Sequence, residues 1–109
     1  MSEDDIYLEL GQILFGTAPE SAVKVIVTAE VSPESDHCKL LFNYIDGSGV
    51  EDWFRPNSPH VDINLLKGLG ALRKIYKENA MTGGHPMWSG CTITLDVVVG
   101  KLAIDFKYD

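Results

Sequence analysis

The chain has 109 residues, of which 45% are hydrophobic, and a formal net charge of −7 at pH 7. This length and apolar content fit one globular domain over residues 1–109 with a core of its own. No apolar run approaches the ~20 residues that a membrane-spanning helix needs, and residues 1–5 are acidic where a signal peptide would be basic. We therefore expect a cytoplasmic protein with no membrane attachment.

The negative charge is concentrated in one part of the chain. Residues 1–62 contain twelve acidic and three basic side chains, whereas residues 63–109 contain four acidic and six basic ones. Because an acidic surface repels phosphates, we expect no nucleic-acid partner. A basic protein partner fits this charge distribution, and acidity that only keeps the protein soluble fits it equally well.

The first half of the chain predicts one helix followed by strands. Ser2 and Asp5 have the spacing of a capping box, and the residues behind them recur at helical spacing up to Gly16: Ile6, Leu10, Ile13 and Leu14. Alternating apolar and polar residues then predict strands at 22–31 and 38–45, with a turn at 32–36 between them. The turn signal of residues 46–49 precedes a third, short strand at 50–54.

The second half predicts another helix, for which Asp62 or Asn64 is the expected cap. Gly68 and Gly70 predict either close packing on the sheet or a weak first turn. The apolar stripe of this helix consists of Leu65, Leu69, Leu72 and Tyr76, and the side chains expected to face solvent are Lys67, Arg73, Lys74 and Lys77.

Two further alternating runs, at 91–97 and 102–108, meet at Gly100 and predict an antiparallel hairpin. The resulting order is α-β-β-(β)-α-β-β, and its short connections favour antiparallel neighbours. We therefore predict an α+β fold, with an antiparallel sheet of four to five strands and two helices packed on one face.

Residue types that carry catalysis do not occur here in recognisable patterns. Cys38 and Cys91 fall on the apolar side of predicted strands, which indicates reduced core thiols. The cysteines and histidines lack metal-site spacing, and residues 47–49 are more typical of a hairpin turn than of a phosphate loop. We expect neither an enzyme nor a protein with a cofactor or a metal.

Two aromatic segments are candidates for binding. In the segment 51–54, Trp53 beside two acids is typical of a protein-interaction anchor, unless Trp53 or Phe54 covers the sheet edge instead. In the segment 85–88, Trp88 belongs either to a contact loop or to one end of the core. The candidate partner-binding residues are Glu34, Asp36, Asp46, Glu51, Asp52, Trp53 and Asp62.

Short motifs along most of the chain have counterparts in a known family. They are Pro19-Glu20 before a strand ending Ala29-Glu30-Val31, the pair Phe42 and Tyr44, Leu72-Arg73, Trp88 before Thr92-x-Thr94-Leu95, and Gly100-Lys101-x-x-Ile104-Asp105-Phe106-x-Tyr108. In these positions the chain resembles the YezG-like immunity proteins, which are antidotes to polymorphic or contact-dependent bacterial toxins. Where that family often carries Trp after Pro-Glu, this chain has Ser21-Ala22.

The resemblance implies an intracellular protein that binds one cognate toxin domain, commonly a nuclease, and neutralises it by stoichiometric blocking. The charge distribution agrees with this function, because a nuclease presents a positive surface to phosphate that an acidic protein can occupy. A small α+β enzyme or ligand-binding domain, with its site at the loop end 46–62, is the alternative. The sequence does not define the oligomeric state, and a monomer is assumed.

Overall fold

A computed structural model describes residues 3–31, 38–56, 60–78 and 88–107, except for the side chains of Cys38, Lys77 and Glu78. These residues form two helices and five strands, in the order α1 (Glu3–Thr17), β1 (Ala22–Val31), β2 (Cys38–Asp46), β3 (Glu51–Trp53), α2 (His60–Glu78), β4 (Gly90–Asp96) and β5 (Lys101–Lys107). The strands form one antiparallel sheet in the order β3-β2-β1-β4-β5. The predicted α+β fold and its element order are therefore confirmed.

Apolar and polar side chains alternate along each strand, and the register aligns them across the sheet. The sheet therefore has one apolar face and one mainly polar face. Val27, in the central strand β1, lies between Phe42 of β2 and Ile93 of β4. All three side chains are buried in one hydrophobic core. We call the opposite face, which carries Thr28 and Asn43, the open face.

Both helices contribute buried residues to this core. Ile6, Leu10 and Leu14 come from α1, and the predicted stripe of α2, which runs from Leu65 to Tyr76, is buried in the same cluster. A Cβ atom on Gly68 would lie 2.8 Å from Cδ2 of Leu10. Gly68 therefore permits close packing, and its partner is α1 instead of the sheet. Neither helix, within the described residues, is long and apolar enough to cross a membrane.

Two predictions for α2 are wrong. The helix begins at His60, so Asp62 and Asn64 lie inside it and neither is the cap. Asp62 falls in the first turn, where a carboxylate favours the positive end of the helix dipole. Arg73, expected to face solvent, is partly buried: its Nη1 donates a hydrogen bond to the carbonyl oxygen of Trp88, and its guanidinium lies 5.3 Å from the centroid of the Trp88 ring. Burial lowers the pKa of Arg73.

Trp88 closes one end of the core. It is fully buried, and its ring centroid lies 6.3 Å from that of Tyr76 and 4.9 Å from that of Phe106. Among the described residues, no acceptor meets its indole N–H. The contact-loop interpretation is therefore wrong for Trp88, while residues 85–87 lie outside the described part of the chain.

The C-terminal hairpin is confirmed, with a turn that is longer than predicted. Residues 97–100 connect β4 to β5, and Gly100 takes a φ of 78°, which a side chain would disfavour. The Oδ1 atom of Asp96 accepts hydrogen bonds from the amides of Val98 and Val99. A carboxylate that satisfies turn amides in this way stabilises the turn.

Cys91 is a reduced cysteine buried in the core. We expect its thiol to stay unreactive towards a thiol reagent in the native protein and to react fully after denaturation, because burial blocks access. The measurement is labelling followed by mass spectrometry in a Cys38→Ser background, which leaves one thiol to follow. Rapid labelling of native Cys91 would contradict its placement in the core. The side chain of Cys38 is outside the described residues.

Candidate protein-binding site

The turn between β2 and β3 determines where the candidate residues point. Oδ1 of Asp46, at the end of β2, accepts hydrogen bonds from the amides of Ser48 at 2.8 Å and Val50 at 3.1 Å. The Asp46 amide also donates to the carbonyl oxygen of Val50 at 3.0 Å, and Gly49 has a φ of 84°. The Asp46 carboxylate thus holds the turn that was predicted at residues 46–49.

Strand β3 presents its residues alternately to the two faces of the sheet. Glu51 lies opposite Ile45, and Trp53 lies opposite Asn43, so both belong to the open face. Asp52, which lies between them in sequence, belongs to the other side. Oε2 of Glu51 accepts a hydrogen bond from Nδ2 of Asn43 at 2.9 Å.

The two neighbouring aromatic residues of this segment have different environments. Phe54 is half-buried, and its ring centroid lies 5.7 Å from that of Phe42 and 5.8 Å from that of Tyr44, both in edge-on arrangements. Trp53 is 66% exposed. Phe54 therefore covers the sheet edge, and Trp53 is available for contact with a partner.

An apolar patch extends from Trp53 across the open face. Trp53 lies opposite Asn43 of β2, and Asn43 lies opposite Ile26 of β1. Leu41 and Ile45 lie on the same face of β2, on either side of Asn43. Leu41 is 57% exposed, and both isoleucines are half-buried. We call these five residues the Trp53 patch.

The sequence-based candidate set did not include Leu41, Ile26 or Ile45. The sequence does mark these three residues, because each is apolar at a position where the strand alternation predicts a polar residue. Such a residue can be an ordinary exposed hydrophobic side chain, so the signal acquires meaning only when the register brings several together.

Charges on the open face are balanced. The lysines of the described strands on this face are Lys24, Lys39, Lys101 and Lys107, and the acids are Glu30, Glu51, Asp96 and Asp105. The acidic excess of residues 1–62 must therefore lie largely outside this face. A partner that meets the Trp53 patch directly would meet apolar surface bordered by Glu51 and by two lysines, Lys24 and Lys39.

The structure brings together part of the predicted binding set. Asp46, Glu51, Asp52 and Trp53 are neighbours at the β2–β3 edge. Asp62 is exposed in the first turn of α2, a separate element. Glu34 and Asp36 lie outside the described residues.

The described chain has a further surface feature of note, away from the β2–β3 edge. An apolar groove of about 560 Å³ lies between α1 and β5. Tyr7 lines this groove. Its pKa is raised first by burial and then by the negative charge of Glu3. Within the described residues, no three His, Cys, Asp or Glu side chains cluster as they would to hold a metal ion.

Comparison with known proteins does not assign the chain to a family. No family model matches it, and no curated protein matches it. The geometry of the β2–β3 edge, together with the resemblance described above, is therefore the basis for proposing a function.

Proposed function

We propose that this protein is a cytoplasmic immunity protein of the YezG-like kind, which binds a cognate bacterial toxin domain and neutralises it by stoichiometric blocking. The observation that carries the proposal is Trp53, which is 66% exposed on the edge strand β3 between the acids Glu51 and Asp52 and the half-buried Phe54. Tryptophan is among the residues most enriched at energetic centres of protein interfaces, and burying an exposed one on binding removes a large apolar area from water.

The electrostatics support a basic partner. A nuclease toxin carries positive charge where it contacts phosphate, and residues 1–62 of this protein hold most of its acids. Complementary charge of this kind accelerates encounter and orients the two proteins. We therefore infer a basic nuclease domain as the toxin.

In the proposed complex, apolar contacts provide most of the affinity and charged contacts increase the association rate. The Trp53 patch supplies the centre that excludes water, and Glu51 supplies a charged contact at its border. Asp52 adds negative charge at the same sheet edge, from the other face. Blocking requires only one-to-one occupation of the toxin surface, so no turnover, cofactor or metal enters the mechanism.

Charge reversal at β3 tests this arrangement. In the double variant Glu51→Lys/Asp52→Lys, we expect association with the toxin to slow by roughly 10-fold at low salt, because steering by these acids is lost. Asp46 is left unchanged because its carboxylate holds the turn. The measurement is stopped-flow association at several salt concentrations, with the toxin obtained by pull-down or from the adjacent gene.

A control variant distinguishes an effect of the β3 acids from an effect of the net charge of the protein. Asp4→Lys/Glu9→Lys changes the net charge by the same amount at exposed positions of α1, and it should slow association much less. Equal slowing by both pairs, or no slowing by either in folded protein, would place the interface elsewhere.

A further inference from the structure

Among the described residues, strand β5 forms a regular edge of the sheet. Its seven residues, Lys101–Lys107, pair continuously with β4 on one side, and no described strand pairs with the other side. The strand has neither proline nor a bulge in this register. Proteins usually shorten or block such an edge, because its unpaired amides and carbonyls are a template for another strand.

Exposed apolar surface accompanies this edge. The groove of about 560 Å³ has Leu95 and Leu102 among its lining residues, with Leu8 and Phe15 contributed by α1. Leu8 is 64% and Phe15 59% exposed. These two residues are seven positions apart, so they form a second apolar stripe on α1 besides the stripe buried in the core. Apolar surface that borders an unpaired strand is typical of an interface.

We propose that β5 pairs antiparallel with β5 of a second copy of this chain, about a two-fold axis at Ala103. In this register Lys101 of each copy lies opposite Asp105 of the other, on the open face. Opposite charges directly across a strand pair are stabilising, and like charges are destabilising. The paired segment is 101–105 in both copies.

Charge excludes the two neighbouring registers on the C-terminal side that keep the apolar faces aligned, and an axis at Leu102 would pair only residues 101–103 of the strand. A two-fold axis at Ile104 would place Lys101 opposite Lys107 at both ends of the ladder. An axis at Asp105 would place the two copies of that aspartate opposite each other. An axis midway between two consecutive residues would place core-side residues of one copy opposite open-face residues of the other. The axis at Ala103 is therefore the favoured one.

The same register joins apolar residues on the core side of the sheet. Leu102 of each copy lies opposite Ile104 of the other, and both are half-buried in the single chain. The groove opens beside Leu102, so the stripe of Leu8 and Phe15 would be brought towards the second copy. Pairing would thus bury apolar surface in addition to joining backbone groups.

Pairing through β5 does not require the proposed toxin binding. Strand β3 lies at the opposite end of the sheet from β5, so the pairing leaves the Trp53 patch accessible. A dimer replaces the monomer assumed from the sequence.

Solution mass tests the proposal directly. Light scattering across a concentration series should give twice the chain mass of 12.0 kDa. Lys101→Glu or Asp105→Lys alone should yield the single-chain mass, because each places like charges opposite each other. The double variant Lys101→Glu/Asp105→Lys should recover the dimer. A wild-type protein with the single-chain mass throughout, or a dimer that both single variants leave unchanged, would overturn the proposal.

A cross-link keeps the test valid if a charge variant is poorly folded, since Lys101 also lies opposite Asp96 in its own chain. At the axis, Cβ atoms of the two Ala103 residues would be about 4.5–5.5 Å apart, so Ala103→Cys in a Cys38→Ser background should form an intermolecular disulfide with diamide. Thr28→Cys, exposed on the same face of the central strand β1, is the matched control and should form far less. Equal cross-linking of the two variants would overturn the register.

Discussion

Replacing Trp88 by alanine is expected to lower the free energy of unfolding by about 3–5 kcal/mol. The side chain is fully buried and packs against the rings of Tyr76 and Phe106, and Arg73 lies over its ring. Truncation would leave a large cavity and remove the surface on which the partly buried guanidinium packs. Urea denaturation followed by circular dichroism measures the loss, since the signal does not depend on the deleted indole.

The other tryptophan provides a matched control for this prediction. Trp53→Ala makes the same chemical change at an exposed position, and its cost should stay below about 1 kcal/mol. Trp88→Phe should fall between the two variants, because it retains an aromatic ring in the cluster. Similar costs for Trp53→Ala and Trp88→Ala would show that Trp88 does not have the core role described.

On the proposed function, Trp53→Ala should weaken toxin binding by about 2 kcal/mol or more, which is roughly 30-fold in Kd. The indole projects from the sheet edge into solvent, so the free protein loses little when it is removed and the complex loses its central contact. The change should appear mainly as faster dissociation, in contrast to the slower association expected for the β3 acids. Association and dissociation rates measured by surface plasmon resonance separate the two effects.

The control for Trp53 is a similarly exposed aromatic residue in another element. Phe15→Ala removes a ring that is 59% exposed on α1 and should leave toxin affinity within a few fold. Leu41→Ala, in the Trp53 patch, should have a smaller effect than Trp53→Ala but in the same direction. Unchanged affinity in folded Trp53→Ala would remove the central contact from the proposal.

The elements that could be predicted from sequence are those set by short-range periodicity. The alternation over residues 22–31 gave the bounds of β1 as the structure has them, and the stripe from Leu65 to Tyr76 is buried as predicted. In both cases the pattern repeats over several turns or residue pairs, so one deviating residue, such as Ile26, does not obscure it.

The site was less predictable because it depends on how distant residues meet. Whether Trp53 or Phe54 turns inward follows from the register between β2 and β3, which the hydrogen bonds of Asp46 determine. A charged residue such as Arg73 is expected at the surface, and Arg73 is partly buried because its guanidinium packs on the ring of Trp88. Neither relation can be obtained from residue spacing within one element.

The contrasting environments of the two tryptophans give the unlabelled protein two separate optical signals. The chain contains only these two indoles; Trp88 is fully buried and Trp53 is 66% exposed. Emission from Trp88 should be blue-shifted and shielded from acrylamide, whereas Trp53 should emit at longer wavelength and be quenched readily. Unfolding therefore alters the first emission component, and occupation of the sheet edge alters the second. A Trp53→Phe variant isolates the core component, so folding and complex formation can be followed in one cuvette without a dye.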